Sequence, residues 1–482
     1  MIKSLIYNQS LALLTDLYQL TMVYGYWKAG IAEREAVFHI NFRKWPFKGG
    51  FAIAAGLQTA IQFMQEFRFS PSDLSYLEKL NLFDKKFLDF LSNFSFACDI
   101  SAMPEGSLVF PYEPFFKVKG PIWQAQLLES PMLNIINFQT LIATQSARIC
   151  SSAYPDEVVE FGLRRAQGID GSISASRASF IGGAQSTSSV IAGKLFDIPV
   201  KGTQAHSWIM AFEKEEMAFE TFAKLMPKKC LFLIDTYNTI EGLKKAIKIS
   251  RSIEGFELYG VRLDSGDLAK LSIEVRKLLD EEHFLNTKIM VSNELDEFLI
   301  RDLKQQGAKI DIWGVGTNLV TAKEQPALDG VYKLSAIRNE KGEWVHKLKL
   351  SEQTAKVTNP GSLQVRRYFD GKFYVGDAIY DELTGIKDPC TIVNQNDPNI
   401  HLKPKCNYKD VLVPIFQKGK LVYESPTLQE MQLLAQQELA SLPSPMKRFI
   451  NPQPYVSGLE ESLYKKKIEM IQKLKNENSD YR

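Results

Sequence analysis

Val261-Arg262-Leu263-Asp264-Ser265-Gly266-Asp267 is the stretch on which the fold turns. A short apolar run ends in small and reactive residues, and a helical segment follows. The same unit occurs five times between residues 196 and 320. Its apolar runs are residues 198–201, 231–234, 258–262, 288–291 and 309–315. After them come Gly202-Thr203-Gln204-Ala205-His206, Asp235-Thr236, Asp264-Ser265-Gly266-Asp267, Ser292-Asn293-Glu294 and Gly316-Thr317-Asn318. Successive parallel strands of a β/α barrel present their carboxyl ends on one face, where a pocket can be built from distant residues. The pattern predicts an α/β protein containing an irregular β/α barrel, and it points to an enzyme.

The chain has 482 residues, which is too long for one ordinary domain. Hydrophobic residues make up 45% and charged residues 24%, as in soluble globular proteins. A net charge of +2 gives no reason to expect nucleic acid or an anionic membrane as partner. No apolar run approaches the roughly 20 residues that span a bilayer. Met1-Ile2-Lys3-Ser4-Leu5 does not open a secretory signal. The five cysteines, Cys98, Cys150, Cys230, Cys390 and Cys406, are scattered and odd in number. They read as reduced thiols of a cytoplasmic protein. Cys390, His401 and Cys406 could belong to a metal site, but no CxxC pair supports it, and no metal ligand is assigned.

Around the repeats the pattern changes. Leu17, Leu20, Tyr24 and Trp27 share one helix face, with Asp16 and Gln19 as a capping box and Gly30 just past the end. Val37-Phe38-His39-Ile40-Asn41-Phe42 alternates like a strand, and residues 51–68 and 72–93 read as helices. Pro and Gly punctuate short strands from residue 99 to 128, which predicts a small mixed sheet. A helix over about residues 135–152 leads into the repeats. Beyond residue 330 the rhythm stops, and strand-like pieces at residues 368–374 and 420–423 alternate with polar turns. A charged helix from Gly458 forms the tail, most simply a solvated face.

Several strand ends carry residues suited to chemistry. Arg262 sits in an apolar run, where a cation costs energy unless it meets an anion. That anion is either substrate or a nearby carboxylate, Asp264 or Asp267. The same two carboxylates suit ribose hydroxyls or Mg²⁺, and Ser265 or Asp267 could equally be a helix N-cap. Gly314-Val315-Gly316-Thr317 suits a phosphate, or simply a turn that needs two glycines. His206, one of five histidines, lies just past a strand end, a place for a nucleophile or an acid–base group. Arg164-Arg165-Ala166-Gln167-Gly168 is a basic turn suited to an anion.

Together these segments resemble nicotinate phosphoribosyltransferases. The resemblance begins at Leu14-Thr15-Asp16-Leu17-Tyr18-Gln19-Leu20-Thr21-Met22 and runs through Phe42-Arg43, Arg164-Arg165-Ala166-Gln167-Gly168 and Gly202-Thr203-Gln204-Ala205-His206-Ser207. It continues through Val261-Arg262-Leu263-Asp264-Ser265-Gly266-Asp267-Leu268, Val291-Ser292-Asn293, Gly314-Val315-Gly316-Thr317 and Gly330-Val331-Tyr332-Lys333-Leu334. It implies that nicotinate is joined to 5-phosphoribosyl 1-diphosphate in NAD salvage, with ATP as co-substrate, Mg²⁺ on the phosphates and a homodimer. His206 would be the phosphohistidine and, with Arg262, catalytic. Tyr18, Thr203, Arg164 and Arg262 would meet nicotinate. Gly316, Thr317, Asn293, Asp264 and Asp267 would meet phosphoribosyl diphosphate. The implied architecture adds an α+β sandwich, built from N-terminal and C-terminal segments, to the barrel. The expected division is 1–135, 136–345 and 346–482.

The sequence departs from the family's pattern at Trp45, where Asn is common, at Lys48, where Gly is common, and at the extra base Arg177. The nearest rival reading is a nicotinamide phosphoribosyltransferase, which needs no cation for a substrate carboxylate. Quinolinate phosphoribosyltransferases are typically much shorter. A catalytically silent relative that binds a nucleotide or a partner belongs to another class, and the full set of polar residues argues against it.

Overall fold

The computed structural model describes residues 10–351, 357–387, 389–395 and 397–479. The N-terminal pentapeptide read for a signal lies outside them. The chain forms two compact units: Ile142–Pro326, and Met1–Leu141 together with Ala327–Arg482.

The Ile142–Pro326 unit is built on a six-stranded parallel sheet. Its order is Ser186–Thr187, Glu157–Glu160, Ile312–Val315, Lys288–Ser292, Leu258–Leu263, Cys230–Leu233. In register, Met290 lies between Ile312 and Arg262, and Arg262 in turn pairs with Leu233. Four of the five apolar runs are therefore parallel strands, the last beginning only at Ile312. The run at 198–201 is not. Pro199 interrupts it, and only Val200 makes an isolated parallel bridge, to Thr187. Two strands were not foreseen. Glu157–Glu160 has two apolar residues between two acids, and Ser186–Thr187 has none. Beside the outermost strand, the Leu233 N–H donates to Gln204 Oε1 at 3.4 Å, so a side chain stands where a further strand would.

Val159, Leu231, Met290 and Ile312 form a buried cluster of this sheet, with Phe161 and Tyr259 packed on it. Full burial of such side chains is worth about 1.5–3 kcal/mol each. The helices that follow the strands begin on side-chain caps. Asn238 accepts from the Glu241 N–H, Asp267 from the Lys270 N–H, and Asp296 from the Phe298 and Leu299 N–H groups. A cap of this kind contributes about 1 kcal/mol. Arg148 and Glu297 form a buried ion pair at 2.7 Å, and Gln145 Nε2 donates to the second Glu297 oxygen.

The other unit joins the two ends of the chain. Its seven-stranded sheet runs Trp344–His346, Val331–Arg338, Glu35–Asn41, Phe116–Pro121, Asp99–Ala102, Val413–Gln417, Lys420–Leu421. Every pairing in it is antiparallel, which corrects the expected mixed sheet. A second sheet, from C-terminal strands only, is mixed: Phe373–Asp381 pairs parallel with Ser457–Glu460. Residues 368–374 prove to be parts of two antiparallel strands, Leu363–Asp370 and Phe373–Asp381. Buried Arg367 lies where N-terminal and C-terminal segments meet. It donates to Asp377 at 2.7 Å, to Glu438 at 2.9 Å and to the Leu108 carbonyl at 3.1 Å.

Three helical readings change in detail. Residues 51–68 hold the strand Ala52–Ile53 before the helix Leu57–Glu66. Residues 72–93 are two helices, Pro71–Lys79 and Lys85–Ser92, each opened by its own cap, Ser70 and Asp84. Asp16 precedes the helix Leu17–Lys28 without capping it, and its carboxylate accepts from Ser130 Oγ at 2.6 Å instead. Gly30 is left-handed past the helix end, as expected, with φ 69°. Lys48, where the resemblance expects Gly, has φ 52° and so carries a side chain in the left-handed region. Trp45 packs edge-on against Phe110, and buried Arg177 lies near the Phe196 ring.

His39 offers a test of the antiparallel unit. Its Nε2 accepts from the Leu363 N–H at 3.1 Å, and its Nδ1 meets Ser335 Oγ at 3.0 Å. Burial, then the nearby Lys117, pushes its pKa well below 6.5. The native state therefore refuses a proton that the unfolded chain takes up, so stability is full above about pH 6.5 and falls below it. Thermal melting from pH 7.5 to 5 should show this fall, with a shallower slope in His39→Gln. Equal slopes in the two proteins would remove His39 as a cause.

Candidate functional site

Arg262 is the only cation in its strand, and its side chain is 11% exposed. Its Nη2 meets Asp264 Oδ1 at 3.0 Å, and its Nε donates to Ser292 Oγ at 2.9 Å. Its Nη1 donates to the Gln204 carbonyl at 3.1 Å and to Thr203 Oγ1 at 3.3 Å. The anion this buried cation requires is thus Asp264 and not Asp267. Ser292 Oγ also donates to Asp264 Oδ1.

His206 approaches the other side of the same carboxylate. Its Nε2 is 3.5 Å from Asp264 Oδ2, and its Nδ1 is 3.1 Å from Thr236 Oγ1. Burial alone would push the Asp264 carboxyl up. Arg262, the Ser292 hydroxyl and His206 together outweigh it and hold the group below the ordinary carboxylate range. His206 therefore faces a standing anion. Asp235 fixes the Asp264 turn from below, accepting from the Asp264 N–H at 2.7 Å and from Ser265 Oγ at 2.8 Å. Its other oxygen, Oδ1, is buried without a hydrogen-bond partner among the described residues.

Thr203, His206, Arg262 and Asp264 are thus brought together as their sequence positions suggested. Asp267 is different. It is exposed, and its Oδ1 caps the helix Leu268–Glu281. Gly314 and Gly316 sit where a side chain would be crowded. A Cβ at 314 would come 2.9 Å from Met290 Cε, and one at 316 would come 3.3 Å from the Phe161 carbonyl oxygen. Thr317 opens the short helix Thr317–Val320. Asn293 follows Ser292 in the left-handed region and is exposed.

Arg164 and Arg165 lie exposed on the turn Leu163–Arg165, and neither makes an ion pair among the described residues. Glu160 holds that turn. It is buried at the end of its strand, accepts from the Gly162 N–H with one oxygen, and from Ser176 Oγ at 2.8 Å and Thr187 Oγ1 at 2.6 Å with the other. Tyr18 belongs to the other unit, on the helix Leu17–Lys28, and is 50% exposed.

Reading the sequence missed Asp235, Thr236, Ser292 and Glu160. Asp235-Thr236 and Ser292 do stand at strand ends, and that position was the available signal. Glu160 gave none, because its strand was not recognised. Cys390, His401 and Cys406 do not gather into a metal site. Both cysteines pack in one apolar cluster, while His401 Nε2 meets the Pro398 carbonyl at 2.9 Å. Among the described residues no group of three His, Cys, Asp or Glu side chains could hold a metal ion. Nor is any described helix long and apolar enough to cross a membrane.

Family models cover most of the chain. The nicotinate phosphoribosyltransferase N-terminal domain matches residues 13–137, the family's central model 157–359 and its C-terminal domain 362–467. The chain is 41% identical to the nicotinate phosphoribosyltransferase of Bacillus subtilis, over 97% of each protein. It is 34% identical to that of Caenorhabditis elegans, over 94% of this chain and 92% of the relative. The solved human nicotinic acid phosphoribosyltransferase superposes with a TM-score of 0.83 at 30% identity, over 95% of this chain and 100% of that one. A Pyrococcus furiosus nicotinate-nucleotide pyrophosphorylase, at 20% identity and TM-score 0.69, shares the fold. On these matches, and with the strand-end cluster in place, the chain belongs to the nicotinate phosphoribosyltransferase family.

Proposed function

We propose that this protein joins nicotinate to 5-phosphoribosyl 1-diphosphate, giving nicotinate mononucleotide and diphosphate, with ATP hydrolysed alongside. The observation that carries the reading is the convergence of His206, Asp264, Arg262 and Thr203 at the strand ends of a chain related to these enzymes along nearly its whole length. The pyridine nitrogen attacks the anomeric carbon as the bond to diphosphate breaks, and the bond's electron pair leaves with diphosphate. Positive charge develops on the ribose, and fixed oxygens at the strand ends suit it. Thr317, Gly316 and Asn293 hold the phosphoribosyl group. Mg²⁺ bound to the diphosphate would neutralise the leaving group. Oxygens of Asp235 and Asp264 would meet it at the strand ends.

In the ATP half-reaction a nitrogen of His206 attacks the γ-phosphorus and ADP leaves. Water later releases the phosphate. Thr236 and Asp264 fix the ring from two sides, which is what a phosphoryl acceptor needs. Nicotinate lies near Thr203. Arg262 already neutralises Asp264, so the unpaired Arg164 is the better partner for the nicotinate carboxylate, while Arg262 holds Thr203 and Asp264 in place. The same unpaired cation favours nicotinate over nicotinamide. Leu17, Tyr18 and Met22 expose one apolar face of their helix, which suits a homodimer in which a second copy covers it. Cytoplasmic location fits five cysteines without a disulfide.

In the first test, His206→Ala should lose the stimulation by ATP and retain slow ATP-independent transfer. γ-Labelled ATP should mark the wild type at an acid-labile position, and equal labelling of the variant would refute the assignment.

For the phosphate end, Thr317→Val should weaken phosphoribosyl diphosphate by roughly 1.5–3 kcal/mol, the worth of one hydrogen bond to a charged group. Isothermal titration checks it. Loss of nicotinate binding instead would show that the pocket is oriented the other way.

Selectivity separates the two arginines. Arg164→Gln should raise KM for nicotinate and narrow the nicotinate-to-nicotinamide ratio of kcat/KM. Arg262→Lys keeps a charge for Asp264 but loses the fork, so it should depress turnover of both bases together. A ratio that shifts only with Arg262 would reverse the two roles.

A further inference from the structure

We infer that Asn318 is a positioning residue that holds the turn Asn293-Glu294 in the shape that receives phosphoribosyl diphosphate. The inference rests on the proposed activity and adds a residue and a role to it. Asn293 and Glu294 have φ of 99° and 35°, where side chains other than glycine are strained. Two consecutive residues of this kind persist only where their surroundings impose the conformation. The turn begins at Ser292, whose hydroxyl serves both Arg262 and Asp264. It is therefore continuous with the strand-end cluster.

The restraint comes from the next strand's loop. Buried Asn318 follows Thr317 directly, and its Nδ2 donates to the Glu294 carbonyl at 2.8 Å and to the Leu295 carbonyl at 3.0 Å. Both acceptors are carbonyl oxygens, so the amide nitrogen must face them and the side chain cannot be turned over. Among the described residues the Glu294 side chain reaches only Lys323, at 3.3 Å, and both groups are more than half exposed, so that pair restrains little. The Asn293 amide makes no hydrogen bond among the described residues and stays free for a ligand. Asn318 thus couples the two loops that carry Asn293 and Thr317, so that both present themselves to one phosphorylated substrate in fixed register.

The test uses the full chain. Asn318→Ala removes both donors, and Asn318→Asp keeps the size but turns acceptors towards acceptors. Each should raise KM for phosphoribosyl diphosphate about tenfold, the strain of one such residue read as an equilibrium constant, while KM for nicotinate moves little. Adding Glu294→Gly to Asn318→Ala should recover much of that loss, because glycine takes a positive φ freely. An unchanged KM for phosphoribosyl diphosphate in folded Asn318→Ala would overturn the inference. So would a loss that Glu294→Gly leaves unrepaired, or an equal rise in both KM values with a lowered melting temperature. If the wild type fails to turn over nicotinate, the proposed activity falls by itself. Amide hydrogen exchange at residues 293–296 then still decides the structural half: faster exchange in Asn318→Ala supports the restraint, and unchanged exchange refutes it.

Discussion

The Arg262–Asp264 pair governs the catalytic unit. A guanidinium near the end of a parallel strand, with only 11% of its side chain exposed, has little water to answer it, and leaving it unpaired costs stability. Asp264 supplies the counter-charge from two residues further along the same chain, at 3.0 Å. Once fixed, the pair organises its neighbours. Arg262 reaches Thr203 and Gln204, Ser292 bridges both partners, and His206 meets the remaining oxygen. Asp235 holds the backbone beneath. Segments from four places in the sequence are thereby set in one arrangement by a single ion pair. This explains how an apolar strand tolerates its arginine.

How far the sequence disclosed this follows from what each feature depends on. Long apolar runs such as Leu231-Phe232-Leu233-Ile234 declare themselves, because burial on both faces of a parallel strand leaves no room for polar residues. Glu157-Val158-Val159-Glu160 does not, since its acids look like solvent-facing residues although Glu160 is buried on neutral donors. Pro199 hides in a run that otherwise reads as a strand. The strand ends were legible as a group, but the division of labour within them was not. Asp267 and Asp264 are three residues apart and chemically identical, yet one caps a helix and the other faces His206. Ser292 and Asn318 act through residues 28 and 24 positions away, a distance that no local pattern encodes. The joining of N-terminal and C-terminal segments in one unit entered through family resemblance and not through periodicity.

The Arg367 cluster has a consequence for how the chain is made. Its partners lie at Leu108, Asp377 and Glu438, and the strand Glu35–Asn41 has Val331–Arg338 as a neighbour. The unit that joins the two ends of the chain therefore cannot be completed while its early residues are the only ones to have left the ribosome. Ile142–Pro326, by contrast, is continuous in sequence and can close on itself as soon as it emerges. During translation the catalytic unit is in place while the N-terminal strand, which has Phe116–Pro121 on one side, still waits on its other side for a partner almost 300 residues behind it. For that interval the nascent protein carries an open sheet edge along Glu35–Asn41, and another along Asp99–Ala102 until Val413–Gln417 arrives, and both are points open to mispairing.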